Sequence, residues 1–466
     1  MSGLPAALPT LAEASAALAA GETSPTRLTE AAIARAEALQ PALSAFITLA
    51  PARARAAAQR AEAELAAGHR RGPLHGIPYA LKDIYDAAGL PTTAHSRLLR
   101  DNIPTEDAAT TARLEAAGMI LIGKLATHEF ATGGPAWDTA WPPALNPWNV
   151  EHFPGGSSSG AGVAVAAGIV PMALGTDTGG SIRLPAAYCG VAGLKPTYGR
   201  VSRRGVVPLS FSLDHCGPLA ATVQDCALTM QVLAGYDPRD PGAADEPVPD
   251  YAARLQNGVR GLRIGYAGAF NDDAGVDAEQ RAALDEAALV FASLGAIVEP
   301  VELPPIALFN ACTRAISHAE SFAIHQQDLR ERPTLYARVT RERLMLGAFV
   351  SSAQYVQAQR LRRRLTAAVD ALWARHDLLL CAAIPGAAPR MDAVETGPWR
   401  RHQQPITAVF NVTGHPALAQ PCGVSAGGLP LALQLVGRNF AEATVLQAGH
   451  AYEQATPWHR RRPALG

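Results

Sequence analysis

The stretch GTDTGGSIRLPAAYCGVAGLKPTYGRVS, residues 175–202, places two glycines directly before a serine. In Thr178-Gly179-Gly180-Ser181, consecutive backbone N–H groups can all point into one cavity beside the Ser181 hydroxyl, because the two glycines are free to take positive φ. Donors arranged in this way suit a developing oxyanion, and losing one costs about 3–4 kcal/mol of transition-state stabilisation. A serine hydroxyl remains a weak nucleophile until an adjacent base takes its proton. Taken alone, such a run is equally an ordinary tight loop, so its reading depends on what lies upstream.

Upstream stands a second glycine–serine run, GGSSSGAG at 155–162, followed by the small-residue segment Val163–Ile169. Further back, a lysine sits in the apolar setting GIPYALKD, residues 76–83. Of the 40 basic residues only Lys82, Lys124 and Lys195 are lysine, and all three fall within 82–195, the segment that also holds the serine motifs. In a chain this rich in Ala, Arg, Gly and Pro, a retained lysine points to a property arginine lacks, namely loss of its proton when buried. Packing or pairing is the plainer explanation for one or two of the three. Bringing Lys82 from about 10.4 to near 7 would cost roughly 4–5 kcal/mol, within reach of full burial.

Composition narrows the alternatives. Hydrophobic residues make up 48% and charged residues 17%, which calls for a large core and excludes intrinsic disorder. A net charge of −1 gives no footprint for nucleic acid or an anionic membrane. The nearly polar-free run Gly160–Gly175 is too short for a membrane span and reads as a buried helix and the turn after it. The N-terminus lacks the pattern of a signal peptide. The six cysteines show no metal-ligand spacing and read as free thiols of a cytoplasmic protein. The 13 histidines include no HExxH, and the glycine loops lack GxxxxGK[ST], so no metal or other cofactor is expected.

Residues 9–68 read as two or three helices, an N-terminal helical arm over 8–70. From Gly72 onward, strand-like runs alternate with helical segments, the strand candidates including Met119–Ile122, Leu262–Tyr266, Ala296–Val301, Leu378–Ala383 and Leu431–Val436. That alternation argues for an α/β protein on a mostly parallel or mixed sheet. Tyr236–Asp250 (YDPRDPGAADEPVPD) reads as a domain boundary or a long surface loop. The arginines of Arg360–Arg364 read as the solvated side of a helix whose apolar face holds Leu361, Leu365 and Leu372, and Arg460–Arg462 as exposed.

Lys82, Ser157 and Ser181, separated by 75 and 24 positions, resemble the Ser–cisSer–Lys triad of the amidase signature family. GGSSSGAG is similar to that family's glycine–serine stretch, and residues 175–202 to its most diagnostic segment. The resemblance continues in GKLATHEFATGG (123–134), SLDHCGP (212–218), and GHPALAQPCG with GLPLALQLVG (414–437), covering about residues 10–460. It implies one α/β/α domain over 1–466, with a mixed central sheet covered by helices on both faces. The signature core would be 72–220, Tyr236–Asp250 would be a surface loop, and 255–466 would supply the rest of the sheet and the pocket walls. Ser181 would be the acyl-forming nucleophile. Ser157, after a cis peptide bond, would bridge it to neutral Lys82. The backbone amides of Thr178, Gly179, Gly180 and Ser181 would form the oxyanion hole, braced by Asp177 and Arg183. Ser159 stands where the family usually has Gly.

The resemblance further implies a substrate site at Ala131, Thr132, Gly133 and Arg362, the last resembling the arginine that grips the glutamine carboxylate in tRNA-dependent amidotransferases. The acidic residue expected to hold the glutamine amino group is missing from Arg400–Asn411 (RRHQQPITAVFN). The expected activity is therefore hydrolysis of a small amide or carbamate by a free-standing monomer or homodimer, and the alternative is a glutaminase subunit delivering ammonia to a partner. Pocket walls are expected from 128–141, 310–350 and 395–412, with Trp137, Trp141, Phe309, Phe322, Phe349 and Trp399 as aromatic candidates. Gly156–Gly160 also fits GxSxG with Ser158 as nucleophile, but no strand-like run precedes it.

Overall fold

The computed structural model describes residues 4–396 and 405–465; Trp399 and part of the 395–412 segment lie outside them. Eleven strands form one sheet in the order β1-β3-β2-β4-β6-β5-β10-β11-β9-β7-β8. They are β1 (Phe46–Leu49), β2 (Pro78–Lys82), β3 (Ile120–Leu125), β4 (Met172–Asp177), β5 (Ala192–Lys195), β6 (His215–Ala220), β7 (Arg263–Tyr266), β8 (Ile297–Pro300), β9 (Leu378–Ala382), β10 (Ala417–Val424) and β11 (Pro430–Gly437). The sheet is mixed: β3, β2 and β4 run parallel, as do β9, β7 and β8, while β4, β6, β5, β10, β11 and β9 pair antiparallel. All of the expected strands are present; the largest difference is at β3, which runs on to Leu125.

Two apolar layers sandwich the sheet. One gathers α2 (Pro25–Leu43), α3 (Pro51–Ala66), α5 (Ser159–Ala166) and α6 (Arg183–Cys189) through Ile33, Ala58, Val163 and Ala186. The other gathers α1 (Leu11–Ala20), α4 (Ala109–Ala116), α7 (Val223–Leu233) and α9 (Ala278–Ser293) through Leu11, Leu114, Met230 and Phe291. Consecutive residues of β10, Leu418 and Ala419, belong to opposite layers, as the two-residue side-chain period of a strand requires. The helical arm starts on a capping box, Thr10 with Glu13, and α1 ends at Gly21 in the left-handed region. The arm also contains β1, which the helical reading of 9–68 omits.

The run Gly160–Gly175 is only partly the expected helix and turn. Its helix ends at Ala166, and Met172 already begins β4. A short run without period does not distinguish a buried helix from a buried strand. Among the described residues, no helix is long and apolar enough to cross a membrane.

Candidate active site

β2 and β4 are parallel neighbours, with Ala80 opposite Ala173 and Leu81 opposite Leu174. Their carboxyl ends therefore lie side by side, the place where ligand sites form in parallel α/β sheets. Lys82 is the last residue of β2 and Asp177 the last of β4. The Lys82 Nζ donates to Ser157 Oγ at 2.6 Å and to Thr176 Oγ1 at 2.8 Å. It is wholly shielded from solvent, and burial pulls it down to about 7, with Asp177 and Asp214 acting in the opposite sense.

Ser157 follows a cis peptide bond to Gly156. Its neighbour Ser158 staples the two serine loops together. The Ser158 amide donates to Ser181 O at 3.2 Å, its hydroxyl donates to Thr176 O, and that hydroxyl accepts from the Thr176 amide. Gly156 faces the imidazole of His128 so closely that a Cβ would fall 2.1 Å from a ring carbon, so a side chain there would displace His128. Ser159 opens α5 with its hydroxyl 3.5 Å from Ala126 O.

Ser181 is half-buried on the turn between β4 and α6. Asp177 shapes that turn: its carboxylate accepts from the amides of Gly180 (2.8 Å) and Ile182 (3.1 Å) and from the Arg183 guanidinium at 3.0 and 2.8 Å. Arg183 continues to Gln434 and Asn411, and the Asn411 amide returns to Asp177. Burial alone would raise the Asp177 carboxyl, but the Arg183 charge and these hydrogen bonds hold it well below the usual carboxylate range. The expected four-donor oxyanion cradle needs correcting at one position, since the Gly180 amide is spent on Asp177. Gly180 takes a φ of +128°, open to glycine and strained for other residues. The amides of Thr178, Gly179 and Ser181 have no acceptor among the described residues.

A cavity of about 520 Å³ opens onto Thr176 and Thr178, walled by Ala131, Tyr198, Phe211 and Arg239–Gly242. The last four-residue wall belongs to Tyr236–Asp250, which forms no helix or strand. It is strapped down where Asp237 accepts from Ser202 and Arg204, and Asp240 from the Arg203 amide. Ala131 thus reaches the cavity, whereas Thr132, Gly133 and Arg362 are not in its wall. Gly133 packs on Thr340. Arg362 donates to Val412 O at 2.7 Å and Ser212 O at 2.9 Å, bracing two backbone segments. The aromatic candidates also disperse: Phe309 is core, Trp137 is exposed, and Phe349 lines a different groove.

The other lysines are wholly buried as well. Lys124 pairs with Asp83 at 3.0 Å, and Lys195 donates to Pro196 O. Among the described residues no three His, Cys, Asp or Glu side chains gather to hold a metal ion.

Residues 27–446 match the family model described as Amidase. The chain belongs to the amidase signature family. It is 41% identical over 480 aligned residues to the A-type subunit of glutamyl-tRNA(Gln) amidotransferase from a Roseiflexus species, covering 98% of both chains. Among solved structures it resembles one described as "An unexpected vestigial protein complex reveals the evolutionary origins of an s-triazine catabolic enzyme", with TM-score 0.90, 36% identity, and 96% and 98% of the two chains covered. It also resembles a bacterial aryl acylamidase of the amidase signature family, with TM-score 0.88, 29% identity and 98% of each chain covered.

Three groups in this amidase-family site escape a reading of the serine motifs alone. Thr176 gives Lys82 its second hydroxyl partner. Asp214 accepts from Thr178 Oγ1 at 2.6 Å; burial pushes its carboxyl up, and bonds from Thr178, Leu209 and Ser210 oppose that. Asn411 ties the Asp177–Arg183 pair to the second half of the chain. Asp214 and Thr176 lie inside motifs the sequence displays, so their location is readable there; Asn411 carries no local signal.

Proposed function

We propose that the protein is a hydrolase cleaving the C–N bond of carboxamides, aryl or alkyl amides and carbamates, through an acyl-Ser181 intermediate. The observation that carries this reading is the 2.6 Å contact between Lys82 Nζ and Ser157 Oγ, two side chains shielded from solvent. Neutral Lys82 takes the Ser157 proton as Ser157 takes that of Ser181, and Ser181 Oγ attacks the carbonyl carbon. The amides of Thr178, Gly179 and Ser181 receive the oxyanion. The proton returns through Ser157 to the leaving nitrogen, the C–N bond breaks, and water then cleaves the acyl ester. The test is release of amine or ammonia by purified wild type and Ser181→Ala from aryl amides, a fatty amide, an aryl carbamate and glutamine. Turnover of aryl amides or carbamates by wild type alone supports the reading; equal release by both proteins overturns it.

A second reading, an ammonia-delivering amidotransferase component, is supported by the 41% identity to the Roseiflexus protein over 98% of both chains. Set against it, Arg362 is engaged by two backbone carbonyls. Ammonia released from glutamine alone in the same panel would favour this second reading.

A further inference from the structure

Ala126, Thr127 and His128 follow β3 directly and lie against the first serine loop. Ala126 O accepts from the Gly160 amide at 2.9 Å, and the His128 amide donates to Ser157 O at 3.0 Å. The Thr127 hydroxyl donates to the same Ser157 O at 2.9 Å and lies 3.1 Å from His128 O. A buried hydroxyl must place its proton, and the adjoining His128 carbonyl would be enough for that. Reaching a carbonyl 30 positions further along the chain serves the serine instead.

The Ser157 carbonyl and the Ser158 amide are opposite edges of one rigid peptide plane. The Ser158 amide donates to Ser181 O at 3.2 Å. That plane therefore stretches from Thr127 and His128 on one side to the main chain of the nucleophile on the other. The Ser157 side chain leaves from its edge and meets Lys82 Nζ at 2.6 Å. Pinning both edges limits how far the relay hydroxyl can swing away from Lys82 or Ser181.

The second buried lysine takes part in holding Thr127. Lys124 pairs at 3.0 Å with Asp83, the residue after Lys82. Asp83 accepts from the amide and the hydroxyl of Thr93, and that hydroxyl accepts from the His95 amide at 3.1 Å. His95 Nε2 donates to Trp141 O at 2.9 Å, a bond that assigns the ring proton to Nε2 and leaves Nδ1 to accept from the Thr127 amide at 3.3 Å. Ala94 and His95 take φ of +50° and +59°, a left-handed pair that residues other than glycine keep only where their surroundings impose it. Both ends of the Lys82–Ser157 contact thus run into one buried network.

We infer that Thr127 is a positioning residue for the proton relay: its hydroxyl, steadied by His95 and the Lys124–Asp83 pair, fixes the Ser157 main chain so that Ser157 Oγ stays between Lys82 and Ser181. The inference rests on the acyl-Ser181 reading. The probe is a fluorophosphonate, which needs no knowledge of the natural amide. Ser181 Oγ attacks phosphorus, the P–F bond breaks, fluoride leaves, and the hydroxyl proton passes through Ser157 to Lys82. Labelling rates over a range of probe concentrations separate the maximal rate from the half-saturating concentration, and peptide mapping locates the adduct. Thr127→Val keeps the shape and loses the donor. It should lower the maximal rate about tenfold and leave the half-saturating concentration within about twofold of wild type. Thr127→Ser returns the donor without the β-branch that fixes its rotamer, and should recover to within about threefold of wild type. Thr110→Val, at a buried threonine whose hydroxyl has no partner among the described residues, should label like wild type. Thermal melts check folding, and Thr127→Ala repeats the comparison if the valine variant melts well below wild type. Wild-type maximal rates in Thr127→Val, or a Thr127→Ser variant as slow as Thr127→Val, would overturn this inference alone. Absence of an adduct on wild-type Ser181 would overturn the acyl-Ser181 reading and the inference with it.

Discussion

Lys82 Nζ and Ser157 Oγ are 2.6 Å apart, and neither residue has meaningful access to water. A lysine ammonium is normally strongly hydrated; here its hydrogen-bond partners among the described residues are two hydroxyl oxygens. The proton is therefore held loosely, and Lys82 is pulled down to about 7.

Only the neutral amine accepts a proton, so kcat/KM should rise as pH increases through about 7 and level off above it. Lys82→Arg, which keeps the charge and cannot lose it, should abolish the rise together with the activity. A pH–rate profile with no inflection between pH 6 and 8 would remove Lys82 as the base.

The same depressed value has a stability consequence. Between about 7 and the unfolded value of about 10.4 the unfolded chain binds the extra proton, so folding strengthens as pH rises through that window, by up to about 1.4 kcal/mol per pH unit. Lys82→Met lacks this dependence. The melting temperature of wild type relative to Lys82→Met should therefore climb from pH 7 to pH 10.

Ser181→Ala should lower turnover by about 10⁴-fold or more and eliminate the acyl adduct seen by intact-protein mass spectrometry. Ser157→Ala leaves the nucleophile in place and should cost about 10²–10⁴-fold, the range for a lost proton relay. An adduct mapping to Ser158 would redirect the mechanism to the GxSxG reading.

Thr176→Val deletes one of the two oxygens that stabilise protonated Lys82. The acid limb of the pH profile should shift to lower pH by about one unit, since a hydrogen bond to a charged group contributes about 1.5–3 kcal/mol. An unmoved limb would mean that Thr176 only packs.

Asp177→Asn leaves Arg183 buried without its counter-charge and loosens the Gly180 and Ile182 amides. Breaking a buried pair in this way costs about 3–5 kcal/mol. Chemical denaturation should show that loss, and kcat should fall more than KM changes.

Much of this arrangement is legible from residues 76–83, 155–162 and 175–202, because glycines open to positive φ let the backbone and the hydroxyls come close together. The alternating strands after Gly72 are equally readable. What fails is informative. The β4 residues Met172–Gly175 merge with the helix before them, since both are wholly buried and neither shows a period. The cavity beside Thr176 and Thr178 is walled by Tyr198, Phe211 and the Arg239–Gly242 strap, brought together from segments apart in the chain. The strap's polar and proline-rich composition marks a loop without saying where the loop lies. Arg362 stands in the sequence as a bare charge, and its carbonyl partners at Ser212 and Val412 belong to segments far away in the chain, so no local pattern announces them.

The guanidinium of Arg183 reaches 228 residues ahead to Asn411 and 251 residues ahead to Gln434. During synthesis the serines leave the ribosome long before either partner exists. Until they do, the loop that presents Ser181 has only its local Asp177 contacts with Gly180, Ile182 and Arg183 to hold it.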